Sequence, residues 1–222
     1  MPQDITRKKL AGMIDHAVLP PAARADDLNA ACDLARRYGV KTLCVKPCDV
    51  LPAVEALADS PVAVSTVVGF PHGGHLAATK AAEAAAAVAD GAMELDMVAN
   101  LGALRDGDFD AVRADIAAVV HAADGRCVKV ILECCLLDEA AKRLACRAAR
   151  QAGAQFVKTS TGFAAAGATV EDVRLLRAAV GSDMGVKAAG GIRTLADALA
   201  MIDAGANRLG VSATAIILDA LD

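Results

Sequence analysis

Two lysines and an aspartate stand at the ends of short apolar runs: Lys158 in "FVKTSTGF", Lys187 in "MGVKAAGG" and Asp96 in "MELDMV". A lysine facing inward at the end of a strand needs a reason, because its ammonium is better solvated by water. Two ammonium groups in one confined site repel, and the cheaper arrangement leaves one of them neutral. An ordinary lysine, with a pKa of about 10.4, has only roughly one amine in 2,500 deprotonated at neutral pH. A neighbouring cation and loss of solvent lower that pKa, and the free amine can then attack a carbonyl to form a Schiff base. The competing reading is that either lysine merely pairs with Asp96 or a backbone carbonyl.

A second group of residues is rich in glycine. Gly190 and Gly191 immediately precede a helical pattern that opens at Thr194, and "RLGVSAT" carries Gly210 and Ser212. Bare backbone N–H groups at a helix N-terminus attract anions. A single Gly-Gly turn is usually only a tight turn, but two such loops in succession beside two lysines point to a phosphorylated substrate. Gly162, in the first quoted run, joins this set.

Other residues leave two readings open. His72 and His75 in "FPHGGH" could ligate a metal with Glu94 or Asp96, or simply sit in a loop. Asp15 and His16 either shape the pocket or hydrogen-bond internally. Lys129 and Glu133 are spaced to point the same way along one strand, which predicts an internal ion pair. Arg193 either touches phosphate or is an exposed first-turn arginine.

The elements that must position these residues repeat along the chain. An Ala-rich helical pattern, a glycine, a small residue and a short apolar run recur at "RRYGVKTLCV", "VADGAMELDMV", "RQAGAQFVK" and "IDAGANRLGV". Gly39, Gly91, Gly153 and Gly205 therefore read as left-handed helix stops. Thr169 and Thr194 read as helix starts, each with an aspartate three residues later. Eight strands are predicted, near 13–19, 40–46, 62–68, 92–98, 127–133, 154–158, 184–188 and 207–211. Over 222 residues that is about 28 residues per strand–helix unit. Strands alternating with helices imply a parallel sheet, and eight units favour a closed barrel over an open nucleotide-binding sheet, whose G-x-G-x-x-G fingerprint is missing. The expectation is an α/β fold with one (β/α)₈ TIM-barrel domain over residues 1–222 and a short helix before the first strand. In such barrels chemistry gathers at the C-terminal ends of the strands, and phosphate binds in the loops after the seventh and eighth.

Composition narrows the partners. The net charge of −4 provides no basic field for nucleic acid, and there is no polybasic run suited to anionic membrane. The N-terminus lacks a signal-peptide pattern and no segment reaches transmembrane length. Seven cysteines without a C-x-x-C pair are expected to be reduced, buried thiols in the cytoplasm.

Taken together, "FVKTSTGF", "GVKAAGGI", "ELDMV", "MIDH" and "VGFPHG" resemble the deoxyribose-phosphate aldolases, class I enzymes on a (β/α)₈ barrel, over residues 13 to 214. The resemblance implies that Lys158 is the Schiff-base nucleophile, that Lys187 depresses its pKa, and that Asp96 moves protons with Lys187 and water. It implies reversible cleavage of 2-deoxy-D-ribose 5-phosphate to acetaldehyde and D-glyceraldehyde 3-phosphate, within nucleoside degradation, and no metal or organic cofactor. It also implies phosphate held by Gly190, Gly191 and Ser212. The expected partners are these small molecules and further copies of the chain, as a homodimer or larger homo-oligomer. Three features depart from the family pattern: Ala17 after His16, Pro20 in place of a lysine, and the Ser212–Ala213–Thr214 loop. Two other functions compete with this one: a metal-dependent aldolase using His72 and His75, and a sugar-phosphate-binding barrel without catalysis. Cys44, near the barrel mouth, could be a reactive thiol or an inert one.

Overall fold

Eight parallel strands close into a barrel in chain order in this computed structural model, which describes residues 5–221. The outermost residues of the expected 1–222 domain lie outside that range. The strands are β1 (Ile14–Val18), β2 (Thr42–Val45), β3 (Ala63–Val68), β4 (Glu94–Val98), β5 (Cys127–Ile131), β6 (Phe156–Lys158), β7 (Gly185–Ala189) and β8 (Arg208–Val211). A short helix α1 (Arg7–Ala11) precedes the barrel, as expected. Helices α2 (Ala25–Tyr38), α3 (Val50–Ala56) and α4 (Ala77–Ala89) follow β1, β2 and β3. Two helices, α5 (Leu101–Asp106) and α6 (Phe109–Ala122), follow β4. After β5 to β8 come α7 (Glu139–Gln151), α8 (Val170–Val180), α9 (Leu195–Asp203) and α10 (Thr214–Asp219).

The junction glycines behave as the sequence predicts. Gly39 ends α2 in the left-handed region at φ 60°, and Gly91, Gly153 and Gly205 follow their helices at φ 102°, 85° and 111°. Thr194 and Asp197 complete a reciprocal capping box at the start of α9. At α8 the Thr169 hydroxyl accepts from the Asp172 N–H, while Asp172 Oδ1 accepts from Lys142 Nζ at 2.6 Å. Asp172 is therefore spent on the neighbouring helix.

Alternation along the strands separates two interiors. Leu95 and Met97 of β4, Val128 and Val130 of β5, and Val186 and Ala188 of β7 join the apolar layer between barrel and helices. Between them, Glu94, Asp96, Lys129 and Lys187 belong to the charged centre of the barrel. Burial of the apolar layer supplies the main driving force for the fold, roughly 25 cal/mol for each Å² removed from water. Among the described residues no helix is long and apolar enough to cross a membrane.

The expected Lys129–Glu133 pair does not form. β5 ends at Ile131, and Glu133 lies beyond it in the left-handed region at φ 51°. The two-residue period holds only for extended backbone, so Glu133 turns away and accepts instead from the Thr161 N–H and hydroxyl. All seven cysteines are free, but Cys48 and Cys135 are exposed, contrary to the expectation of burial.

Candidate active site

The strand register sets Lys158 directly beside Lys187, and Asp96 beside Lys129. Lys158 Nζ and Lys187 Nζ both donate to Asp96 Oδ2 at 2.7 Å, and Lys129 Nζ donates to Asp96 Oδ1 at 2.8 Å. Asp15 accepts from Lys187 at 2.5 Å and from Arg208 at 2.8 Å. Glu94 accepts from Lys129 at 2.6 Å and from Arg208 at 2.8 Å.

Four cations thus face three carboxylates in a largely buried region. Desolvation penalises every charge there, so the surplus proton is best lost from the cation with the fewest carboxylate partners. Lys187 touches Asp15 and Asp96, Arg208 touches Asp15 and Glu94, and Lys129 reaches all three carboxylates. Among the described residues Lys158 has only Asp96 as a carboxylate partner, and shares that oxygen with Lys187.

The protonation equilibria follow this ordering. Burial pushes the Lys158 pKa down; Asp96 opposes that, and repulsion from Lys187 adds to it. Burial also disfavours the charged form of Lys187, but Asp15 and Asp96 outweigh it and hold the group above its ordinary value. Burial works against the ionised Asp96 as well, yet Lys129, Lys158 and Lys187 keep it well below the usual carboxylate range. Asp15, despite complete burial, is held at about 2 by Lys187, Lys129 and Arg208. The result is one amine biased toward neutrality among fixed charges.

Lys158 and Lys187 open onto a cavity of about 310 Å³ that is also lined by Asp15, Cys44, Thr161, Phe163 and Arg193. Asp96 and Lys129 are fully buried and do not line it. Gly162, Gly190, Gly191, Gly210 and Ser212, all expected at the phosphate, line the same cavity. Among the described residues the N–H groups of Gly162, Gly190, Gly191 and Ser212 have no protein acceptor. Gly162 and Gly190 both adopt φ 86° and Gly191 φ 80°, values that side chains resist. Gly210 has a different use: a Cβ there would lie 2.9 Å from Ala189 Cβ and 3.1 Å from Lys187 Cε, so its bareness clears a path for Lys187.

The remaining candidates separate clearly. Asp15 takes both roles considered for it, lining the cavity and anchoring Lys187. His16 Nδ1 meets the Thr214 hydroxyl at 2.9 Å, and burial lowers its pKa to about 4. Burial, followed by the charge of Asp96, pushes the Cys44 thiol up, so Cys44 meets the cavity as a neutral thiol. Arg193 is exposed, lines the cavity and lies just before the helix, its N–H bonded to Asp197 at 3.0 Å. His72 and His75 are exposed, whereas Glu94 and Asp96 are bonded to Lys129 and Arg208 inside the barrel. Among the described residues no three His, Cys, Asp or Glu side chains converge as a metal site. Of the three departures from the family pattern, Ala17, Pro20 and Ser212 all lie on the cavity rim.

Arg208 was missed from the sequence, and Glu94 was considered only for metal. A period-two step back from Gly210 and from Asp96 points to both of them.

Comparison with known proteins identifies the family of the chain. The model of the family described as DeoC/LacD family aldolase matches residues 9–215. Deoxyribose-phosphate aldolase 1 of Bacillus licheniformis is 53% identical over 215 residues, covering 96% of each chain. The deoxyribose-phosphate aldolase of Staphylococcus carnosus is 52% identical over 212 residues, again covering 96% of each. Among solved structures, the Aeropyrum pernix deoxyribose phosphate aldolase, described as a unique tetramer, superposes with a TM-score of 0.91 at 33% identity, covering 97% of this chain and 92% of that one. A putative deoxyribose-phosphate aldolase from Coccidioides immitis gives 0.94 at 40% identity, covering 97% and 87%. With the family model spanning nearly the whole barrel and relatives above 50% identity, this chain belongs to the DeoC/LacD family of aldolases.

Proposed function

We propose that the chain is a class I aldolase that reversibly cleaves 2-deoxy-D-ribose 5-phosphate into acetaldehyde and D-glyceraldehyde 3-phosphate through an imine on Lys158. The observation that carries this reading is the position of Lys158: it is the least-paired cation of a buried network with one positive charge in surplus, and it faces the cavity. The free amine attacks the substrate aldehyde, and loss of water from the carbinolamine leaves a protonated imine. That cation withdraws electrons from the C2–C3 bond. As the C3 hydroxyl gives up its proton the bond breaks, D-glyceraldehyde 3-phosphate departs, and an enamine remains on Lys158. Protonation at C2 and hydrolysis then release acetaldehyde and restore the amine. Lys187 touches the cavity on one side and Asp96 on the other, so the pair is placed to move protons in these steps with water.

The N–H groups of Gly162, Gly190, Gly191 and Ser212, which have no acceptor among the described residues, suit a phosphate dianion, with Arg193 beside them. Ser212→Glu would place a carboxylate in that cradle. It is expected to lower kcat/KM for the phosphorylated sugar by about tenfold or more while affecting unphosphorylated deoxyribose far less. Equal losses on the two substrates would remove the phosphate from this loop.

Activity is expected to survive EDTA, because the carboxylates that would complete a set with His72 and His75 are bonded to Lys129 and Arg208. A loss that Zn²⁺ restores would contradict the imine mechanism. The tetramer reported for the Aeropyrum pernix protein extends to this chain as an expected homodimer or larger homo-oligomer, to be measured by sedimentation.

A further inference from the structure

A second hollow, of about 280 Å³, lies beside the catalytic cavity. Pro71, His72, Leu101, Leu136 and Glu133 line it, and Thr161 and Phe163 line both spaces, so the Thr161–Phe163 turn is the wall between them. The wall's backbone and its ring are held separately. Glu133, buried and left-handed, accepts from the Thr161 N–H at 3.2 Å and 3.3 Å and from the Thr161 hydroxyl. The Phe163 N–H in turn donates to Thr161 Oγ1 at 3.0 Å. The Phe163 ring takes no part in this anchoring. It meets Phe70 edge to face, with centroids 5.3 Å apart, and the residue as a whole is 48% exposed.

We propose that Phe163 is a specificity-determining residue, whose ring ends the acceptor side of the catalytic cavity and shuts off an annex behind it whose apolar wall is Pro71, Leu101 and Leu136. The substrate class excluded by the ring is acceptor aldehydes with an unbranched hydrocarbon body and no phosphate. Phe163 follows Gly162 of the phosphate cradle, so the annex continues from the end of the cavity where the acceptor's far end lies. This proposal rests on the aldolase reading above and deepens it. In the synthetic direction the enamine carbon on Lys158 forms a C–C bond to the acceptor's carbonyl carbon, the acceptor oxygen takes a proton, and water hydrolyses the resulting imine. Phe163 changes only which acceptor can be placed for that step. Because Glu133 and Thr161 fix the backbone independently, removal of the ring leaves the turn in place.

The test compares hexanal with D-glyceraldehyde 3-phosphate as acceptors for acetaldehyde, using the full chain. Phe163→Ala is expected to raise the ratio of kcat/KM for hexanal over the phosphorylated acceptor by about tenfold or more. Adding Leu136→Phe, which refills the annex from its far side, should return the ratio toward wild type. Phe163→Leu keeps an apolar contact with Phe70 and carries the same test, with a smaller rise, should Phe163→Ala not fold by circular dichroism. An unchanged ratio, or a rise that Leu136→Phe does not reverse, would overturn the role of Phe163. Borohydride trapping of acetaldehyde on wild type and variants separates the two readings. If every form traps the imine and the ratio stays fixed, only the partition falls; if wild type traps nothing, the aldolase reading falls with it.

Discussion

Asp96→Asn is expected to lower turnover by about 10²- to 10⁴-fold, the usual worth of a positioned proton-transfer group. It is also expected to destabilise the barrel by about 3–5 kcal/mol, the cost of removing one partner from a buried ion pair. Asp96 accepts from three lysines at once, so the substitution leaves four cations facing two carboxylates. Trapping of the imine should outlast turnover. Asp96 is the charge that raises the Lys158 pKa, and without it the amine is freer, not scarcer. The variant should also respond differently to acid. Asp96 and Asp15 are both held below the ordinary carboxylate value of about 3.9, so the stability they contribute is present above that pH and is lost as pH falls toward their native pKa values. In Asp96→Asn part of that loss disappears, and the urea-unfolding midpoint falls less steeply as pH is lowered. Turnover, borohydride trapping and urea unfolding on the same preparations check all three effects. Turnover and trapping lost in equal measure would mean that Asp96 acts only by holding the fold.

Lys158, Lys187 and Asp96 were legible in the sequence because a lysine or aspartate closing an apolar run at this spacing has few structural uses, and because barrel geometry carries strand ends to one face. Arg208 and Glu94 were less legible: they sit one layer down, at the starts of β8 and β4, where a charge reads as the solvated beginning of a strand. Only the closed barrel shows that each neutralises the other and feeds the same network. Glu133 was misread for a different reason. Nothing in "CVKVILEC" marks the point at which the backbone leaves the extended region, so its alternation was carried two residues too far. The closure of the barrel, by contrast, was readable from the repeated helix–glycine–strand junction.

Lys187→Leu is expected to raise the Lys158 pKa, so that imine trapping at neutral pH falls by about tenfold for each unit regained and recovers as pH rises. Loss of the neighbouring ammonium removes one of the two causes that favour the free amine. Burial, the larger cause, stays, so Lys158 keeps part of its depression. The repulsion expected from the sequence thus acts in the same direction as desolvation and is the smaller of the two. Lys187→Arg retains the cation with a different reach and a guanidinium that does not give up its proton. It should preserve trapping better than it preserves turnover. The pH dependence of trapping in both variants, with folding checked by circular dichroism, measures the two effects separately. A Leu variant that traps acetaldehyde at pH 7 as readily as wild type would show that Lys187 is not what activates Lys158.

The central claim, that the surplus proton of the network is missing from Lys158 and that this amine forms the imine, is tested most directly by mass spectrometry after borohydride reduction in the presence of acetaldehyde. The account predicts a single ethyl group, found on the peptide containing Lys158. An ethyl group on Lys187, or no adduct on a folded and active protein, would contradict it.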